Sequence, residues 1–162
     1  MSVTVSGGTK IASRIAELKR KFNDAPTVLI GVPKSAGNYE DGVHIATIAA
    51  TNEFGSADGR IPERPALRDG IEDSKPQIIK LYEKMMPDVI DKDLDIRSIQ
   101  ALVGEICVGN IVQKISEGVA PPNAPSTIKA KGSSTPLVDT GAYRQSITYV
   151  IAPTGEKVEE GL

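Results

Sequence analysis

DIRSIQALVGEICVGNIVQKISEG, residues 95–118, is the clearest helical pattern in this chain of 162 residues. Its apolar side chains recur at spacings of three and four residues, which places them on one face of an α-helix. The members of this stripe are Ile99, Leu102, Val103, Ile106, Ile111 and Ile115. We expect Asp95 or Ser98 to cap the start of the helix and Gly118 its end. Ile106 is predicted at the centre of the buried face.

Shorter patterns precede this helix in the chain. The β-branched run TVLIGV, residues 27–32, predicts a strand. Apolar spacing predicts helices over about 10–22, about 43–54 and from 67 to 87, the last either kinked by Pro76 or restarted at Ser74. The apolar face of the first of these helices consists of Ile11, Ile15, Leu18 and Phe22.

The chain that follows the long helix is mostly irregular. Residues 120–141 form a long connection that is dense in proline, serine and glycine. Asp139 is predicted as the N-cap of a short helical turn, TGAYRQS, at 140–146. ITYVIA, residues 147–152, predicts a second strand, after which a turn leads EKVEE, residues 156–160, into a short pairing.

These segments predict an α+β fold in a single domain that covers residues 1–162. We expect a small, mostly antiparallel sheet with helices packed on one face and two long loops rich in proline and glycine. Residues 1–9 and about 156–162 are expected to be flexible. Since aromatic residues make up 4% of the chain and tryptophan is missing, the core is predicted to consist of Ile, Leu, Val and Ala.

Composition narrows the classes of function. The formal net charge of −2 gives no global basic field of the kind that binds nucleic acid regardless of sequence. No apolar run approaches the ~18 residues that cross a bilayer, and the N-terminus lacks the apolar core of a signal peptide. We therefore expect a soluble protein with no membrane partner. The single cysteine excludes an internal disulfide.

The candidates for chemistry are few. His44 is the one histidine and Cys107 the one cysteine, and a transition-metal site needs several such ligands. Cys107 lies within the apolar helix, where cysteine is usually inert packing, and His44 is interpreted as an exposed or packing residue. The loops GSADGR and AKGSST lack the strand-to-helix context of a phosphate-binding loop. We predict no catalytic residue, no cofactor, no metal and no small-molecule substrate.

Charged loop residues leave several interpretations open. Three arginines occupy the first long loop, and three further basic residues lie around the second: Arg60, Arg64, Arg68, Lys129, Lys131 and Arg144. If both loops reach one end of the fold, these residues form a local positive patch for a protein partner or for DNA. The alternative is solubility, with salt bridges to neighbouring acidic residues. Glu53 and Glu63 flank the glycine loop, and acid pairs in such positions are usually solvated.

Two ordered sets of residues resemble a known family. "VLIGVP" (28–33), "GVHIATIAATNEFG" (42–55) and "IPERPALRDGI" (61–71) are similar to the first half of a family of tailed-bacteriophage and prophage morphogenesis proteins, described as neck, tail-completion or minor tail components. The stretch from "LVGEICVGNIVQ" through "APPNAP" to "PLVDTGAYRQSITYVI" resembles the second half. Together the matches cover roughly residues 27–151. Ala66 departs from the family pattern, which commonly has Phe there.

The resemblance implies a structural subunit and no enzyme. Such proteins join heads to tails or complete the tail end during virion morphogenesis, after assembly in the bacterial host cytoplasm. The expected partners are further copies in a ring of about six, with about twelve as the alternative, and neighbouring neck, connector, tail-terminator or tube proteins. DNA is expected to pass through the ring lumen.

The candidate interface residues are Glu53, Phe54, Arg60, Arg64, Arg68, Lys129, Lys131, Asp139 and Arg144. Two other functions stay open at this point. One is a nucleic-acid-binding accessory protein that uses the basic loops. The other is a small enzyme with a site around Asp139 and Thr140.

Overall fold

The computed structural model describes residues 8–132, 134–137 and 140–155, and within these ranges the side chains of Thr9, Ala130 and Lys131 are not described. In chain order the elements are α1 (Gly8–Asn23), β1 (Thr27–Gly31), α2 (Ile45–Phe54), α3 (Ala66–Asp91), α4 (Ile96–Glu117), α5 (Pro125–Lys131), α6 (Ala142–Ser146) and β2 (Thr148–Ala152). A short 3-10 turn at Lys34–Ala36 follows β1. The predicted α+β fold is confirmed.

The sheet joins the two strands that the sequence predicted far apart in the chain. β1 and β2 pair antiparallel, with Thr27 opposite Ala152 and Gly31 opposite Thr148. Side chains alternate between the two faces of a strand, so Val28 and Ile30 share one face. Both pack against a core cluster made by α3 and α4. The helices therefore cover one face of the sheet, as predicted.

Helix α4 runs through the whole core. Its buried side chains recur every four residues, and they are Ile99, Val103, Cys107, Ile111 and Ile115. The predicted stripe is wrong at two positions, because Leu102 is 41% exposed and Ile106 is only half-buried. The spacing of four places Cys107, and not Ile106, at the centre of the face. Cys107 is buried, which confirms its interpretation as a packing residue.

Two glycines let α4 approach its neighbours closely. A Cβ at Gly70 of α3 would lie 2.8 Å from the Cα of Ile111. A Cβ at Gly104 of α4 would overlap the ring of Tyr149 in β2. Because heavy atoms in contact need ~3.5–4.0 Å, neither position has space for a side chain. These glycines set how tightly α4 fits between α3 and the sheet.

The ends of α4 agree with the sequence prediction. The side chain of Asp95 accepts a hydrogen bond from the backbone N–H of Arg97 at 2.9 Å. Gly118 follows the helix with a φ of 97°, which glycine adopts without strain, and its N–H donates to Lys114 O. Asp95 is therefore the N-cap and Gly118 the C-cap.

Helix α3 does not restart near Pro76, so the restart that the sequence offered as an alternative to a kink is wrong. It is one helix of 26 residues that passes through both Pro76 and Pro87. Each proline lacks a backbone N–H and so removes one helical hydrogen bond. Both prolines lie on the exposed side of the helix, where water can satisfy the freed carbonyls of Glu72 and Glu83. The buried side of the helix keeps Ser74, whose hydroxyl donates to Gly70 O at 2.7 Å.

Helix α1 forms as predicted, but its apolar face is not part of the core. Ile11 is 64% exposed, and Ile15 and Phe22 are also exposed. The contacts with the body come from polar side chains instead, since Arg14 donates to Ile90 O and Lys21 pairs with Asp93. Helix α1 begins at Gly8, so the last two residues of the segment 1–9 are helical.

The second long connection contains more structure than predicted. Helix α5 interrupts it, and α6 begins only at Ala142. Gly141, with a φ of 85°, takes the N-cap position, and Thr140 Oγ1 accepts from Ala142 N at 3.3 Å. The prediction of Asp139 as the N-cap is therefore wrong by two positions, and its side chain lies outside the described residues. The expected pairing of 156–160 also lies outside them.

Candidate functional site

The carboxylate of Glu53 links the end of α2 to the start of α3. The residue is only 4% exposed. Its two oxygens accept from the backbone N–H groups of Leu67 and Arg68, each at 3.0 Å. Pro65, at the N-cap position of α3, offers no side-chain acceptor, so Glu53 supplies the cap from another helix. The expectation that Glu53 and Glu63 are solvated is wrong for Glu53, because the unpaired N–H groups of α3 hold its carboxylate inside.

Arg68 extends this link outward. Its guanidinium donates to Glu53 Oε1 at 3.1 Å and to the backbone oxygen of Glu53 at 2.9 Å, and it also pairs with Glu63. The hydrogen bonds to Glu63 and then Glu53 raise the pKa of the guanidinium. The same group lies 5.5 Å from the ring centroid of Phe54, which is 71% exposed. Three of the predicted interface residues, Glu53, Phe54 and Arg68, are thus used in an intramolecular cluster.

Arg64 joins the first long loop to the second. It is 7% exposed, and its Nε donates to Pro121 O at 2.8 Å and its terminal nitrogen to Pro122 O at 3.2 Å. Its backbone N–H donates to Asn52 O at 2.7 Å. The predicted convergence of the two loops therefore occurs at this side chain. Consecutive prolines hold the two carbonyls in place because their φ angles are fixed.

A cleft of about 720 Å³ opens between the loops. Ile48, Leu137 and the buried Tyr143 provide apolar surface, and Arg64 and Pro121 line the same space. Burial raises the pKa of the Tyr143 phenol above its usual range, so the ring stays neutral at physiological pH. This size is typical of a pocket for a small molecule or for a short segment of chain.

The charges at the cleft have mixed signs. Arg60 lines it with a side chain that is 87% exposed and that pairs with Asp58 at 3.3 Å. Glu40 and Asp41 also line it. Among the described residues Arg64 takes part in no ion pair, and burial lowers the pKa of its guanidinium. The predicted positive patch is therefore a mixed surface with one buried positive charge.

The other candidates lie in the second half of the chain. Arg144 donates to Ser116 Oγ at 3.0 Å, and Lys129 is exposed on α5. Lys131 is the last residue of α5 and its side chain is not described, and Asp139 lies outside the described residues. The structure thus joins Glu53, Phe54 and Arg68 in one cluster and places Arg60 and Arg64 at the cleft, whereas Arg144 is bound elsewhere.

The two residues considered for chemistry have structural contacts. His44 is the N-cap of α2, where Nδ1 accepts from Ala46 N at 3.1 Å and Nε2 lies 2.8 Å from Lys34 O. Burial raises the pKa of the Cys107 thiol, which favours the unreactive protonated form. Within the described ranges, no group of three or more His, Cys, Asp or Glu side chains is placed to hold a metal ion. No helix there is long and apolar enough to cross a membrane.

Sequence reasoning missed the groups that complete the site. Pro121 and Pro122 stood out in the sequence only as part of a proline-rich connection, yet their carbonyls bind Arg64. A pair of prolines is a usable signal, since it presents fixed acceptors whose own nitrogens cannot donate. The capping role of Glu53 carries no local signal, because its partners lie fourteen and fifteen residues further along the chain.

Comparisons with protein-family models, with curated proteins and with solved structures gave no match.

Proposed function

We propose that this chain is a structural subunit of a tailed phage or phage-like particle, forming a ring at the head–tail junction or at the tail end as a neck or tail-completion protein. The observation that carries the proposal is the contact between the two motif-bearing halves of the chain. Arg64 of "IPERPALRDGI" binds the carbonyls of Pro121 and Pro122 in "APPNAP". The residues that carry the family resemblance therefore join two loops. A structural role of this kind is the one expected of an assembly subunit.

The surface around this contact also supports an assembly role. Phe54 and Ile61 are exposed large apolar side chains near the joined loops, and α1 presents Ile11 and Ile15. Exposed apolar groups rimmed by charged residues are typical of protein–protein contact surfaces. Arginine and aromatic residues are enriched at such contacts.

The alternative of a nucleic-acid-binding accessory protein draws less support from the contacts. Arg60 pairs with Asp58, Arg64 binds carbonyls, and Arg68 pairs with two glutamates. Paired arginines such as Arg60 and Arg68 contribute little to a field that attracts phosphates, and the buried Arg64 offers little surface to a DNA backbone. Retention on DNA that falls steeply with rising salt would favour this alternative.

The test combines assembly with particle formation. We expect the purified chain to form rings of about six copies at high concentration, or to bind tail tubes or connectors, in mass photometry and electron microscopy. Deletion of the gene from a host that produces such particles should abolish tailed particles, and the intact gene should restore them. The proposal would be overturned if the purified chain stayed monomeric and bound neither tail tubes nor connectors, and if deletion of the gene left tailed particles unchanged.

A further inference from the structure

The buried Arg64 holds a charge that its own chain does not neutralise within the described residues. Its recorded side-chain partners are two carbonyl oxygens, and no ion pair there includes it. A guanidinium has five N–H donors, and the contacts among the described residues use two of them, so further donors are open to a ligand there. A buried charge without a counter-charge is unfavourable, and a carboxylate that reaches it gains a charge-assisted hydrogen bond.

The cleft around Arg64 has the form of a site for a short acidic segment. Apolar surface from Ile48, Leu137 and Tyr143 can cover an aliphatic side chain. Arg60 lines the cleft as a second guanidinium, with its side chain mostly in solvent. Glu40 and Asp41 line it as well and complement a lysine. The matching occupant is an extended peptide with carboxylates, one basic residue and an aliphatic side chain.

We propose that this cleft binds residues 156–162, EKVEEGL, of a second copy of the chain. The segment has three glutamates and one lysine, which gives it a net charge of −2, and it contains Val158 and Leu162. A glutamate of the segment binds Arg64 and Arg60, Lys157 faces Glu40 and Asp41, and an aliphatic side chain covers the apolar surface. The inference rests on the proposed function, because it names the contact between neighbouring subunits.

The topology favours a second copy over the same chain. Thr140 and Tyr143 line the cleft, and β2 then leads the chain away from it from Thr148 to Ala152. The Thr154 hydroxyl donates to Ala25 O beside the start of β1, at the far end of the sheet. A five-residue strand spans ~17 Å, and seven extended residues span at most ~25 Å. A return within one copy would use most of the segment merely to reach the cleft.

The segment that binds follows β2, which ends at one end of the sheet, and the cleft that receives it lies towards the other end. The contact between two copies is therefore head-to-tail. Such a contact repeats from copy to copy and produces a ring when the rotation closes. A substitution in the segment or in the cleft of one copy should therefore stop the addition of further copies at that side. The same copy should still bind a neighbour through its unchanged part. A surface that associates nonspecifically would not show this one-sided loss of binding.

The first experiment uses the full chain and a labelled synthetic peptide, TGEKVEEGL, corresponding to residues 154–162. Fluorescence anisotropy should show saturable binding, and the peptide with glutamine in place of its three glutamates should bind about tenfold more weakly or worse. The Arg60→Glu protein should also bind the original peptide more weakly, while Lys129→Glu on α5 serves as the matched control. Equal binding of the two peptides, or no saturation up to about 1 mM, a Kd that corresponds to only ~4 kcal/mol, overturns the inference.

The second experiment mixes two full-length variants. One has Glu156→Gln, Glu159→Gln and Glu160→Gln, and the other has Arg60→Glu with Arg64→Lys. Each alone should stay monomeric in analytical ultracentrifugation, whereas the mixture should give heterodimers and nothing larger. Circular dichroism checks that the Arg64→Lys protein is folded, and Arg60→Glu alone replaces it if it is not. A triple-glutamine variant that associates like the original chain overturns the inference.

The outcomes separate this inference from the proposed function. Tailed particles that form normally with the triple-glutamine variant overturn the cleft contact and leave the assembly role standing. Peptide binding that depends on Arg60, in a chain whose deletion leaves tailed particles unchanged, supports the cleft contact and overturns the assembly role. A third outcome is that the peptide binds the triple-glutamine protein but not the original monomer. This result would mean that the segment occupies the cleft of its own chain, and it would overturn binding to a second copy.

Discussion

Helices α1 and α4 both carry apolar side chains at spacings of three and four residues, but only α4 buries them. Ile99, Ile111 and Ile115 of α4 are completely buried, whereas Ile11 and Ile15 of α1 are exposed. Periodicity tells which side chains share a face and which segment can be a helix. Burial requires a second surface of matching shape, and the body of the protein provides that surface for α4 alone.

The difference lies in the partners of each helix. Helix α4 fits between α3 and the sheet because Gly70 and Gly104 permit close approach. Helix α1 is held by polar contacts, from Arg14 to Ile90 O and between Lys21 and Asp93. Contacts of long charged side chains in solvent contribute little to stability. We therefore expect α1 to respond weakly to substitutions that would unfold the α4 region.

The largest expected effect is loss of packing in α4. Ile111→Ala should lower the free energy of unfolding by about 2–5 kcal/mol, because it leaves a cavity at a completely buried position. Ile11→Ala, on the exposed face of α1, should change it by less than about 0.5 kcal/mol. Urea unfolding followed by circular dichroism measures both. Equal losses would mean that α1 is packed as tightly as α4.

A buried cap should matter more than a surface ion pair. Glu53→Ala removes the acceptor of two backbone N–H groups at the start of α3, and we expect a loss of about 2–4 kcal/mol, since hydrogen bonds to a charged group contribute ~1.5–3 kcal/mol each and are not additive. The matched change at the contact with α1 is Asp93→Asn, which removes the charge that pairs with Lys21 but keeps a residue that tolerates the φ of 61° at this position, and it should leave the urea midpoint unchanged. A midpoint that shifts as far for Asp93→Asn as for Glu53→Ala would contradict this ranking.

Two glycines within α4 test close packing directly. Gly104→Ala places a methyl group against the ring of Tyr149 and should cost about 1–3 kcal/mol through overpacking. Gly109→Ala lies on the exposed side with no atom within 4 Å of the new Cβ, so better helix propensity should stabilise the protein by up to about 1 kcal/mol. Opposite signs in thermal unfolding are the expected result. A neutral Gly104→Ala would show that α4 and the sheet can separate without cost.

The smallest effect is the pH dependence of α1. The hydrogen bond and charge of Lys21 lower the pKa of Asp93 below its ordinary value. A carboxyl group with a lowered folded-state pKa contributes above its unfolded pKa, and the contribution is lost as the pH falls through the folded pKa. Below about pH 4, the ordinary range for Asp, the amides of α1 should therefore lose protection against hydrogen exchange, measured relative to the intrinsic rate at each pH. The amides of α4 should stay protected. Asp93→Asn should remove this change, and a pH response that persists in this variant would assign it to another group.

The sequence predicted the elements better than their packing. The periodic residues of 95–118 give the helix, and Asp95 and Gly118 give its ends, because capping depends on residues within one turn. The predicted buried face is wrong only at Leu102 and Ile106, and its centre is at Cys107 instead of Ile106. Leu, Ile and Cys are all apolar, and only the partner surface decides which of them it covers.

The sequence singled out Arg64 as a candidate but left open whether the two long connections meet. The structure brings them together at Arg64, which binds the carbonyls of Pro121 and Pro122. The burial of Glu53 and Arg64 could not be predicted, because each depends on backbone groups that are distant in sequence. Arg64 looks the same in the sequence as the exposed Arg60 four residues earlier, yet only one of them reaches the carbonyls of two prolines.

By itself the sequence determined α1, α2, α3, α4 and α6, the two strands and their α+β class, since these depend on local spacing, capping and β-branching, but it did not indicate α5. Tertiary structure alone decided that α1 keeps its apolar face in solvent and that α3 continues through two prolines. It also decided that Glu53 caps a helix to which it does not belong. The physical reason is that a side chain is buried only where another part of the chain fits its shape and satisfies its polar atoms.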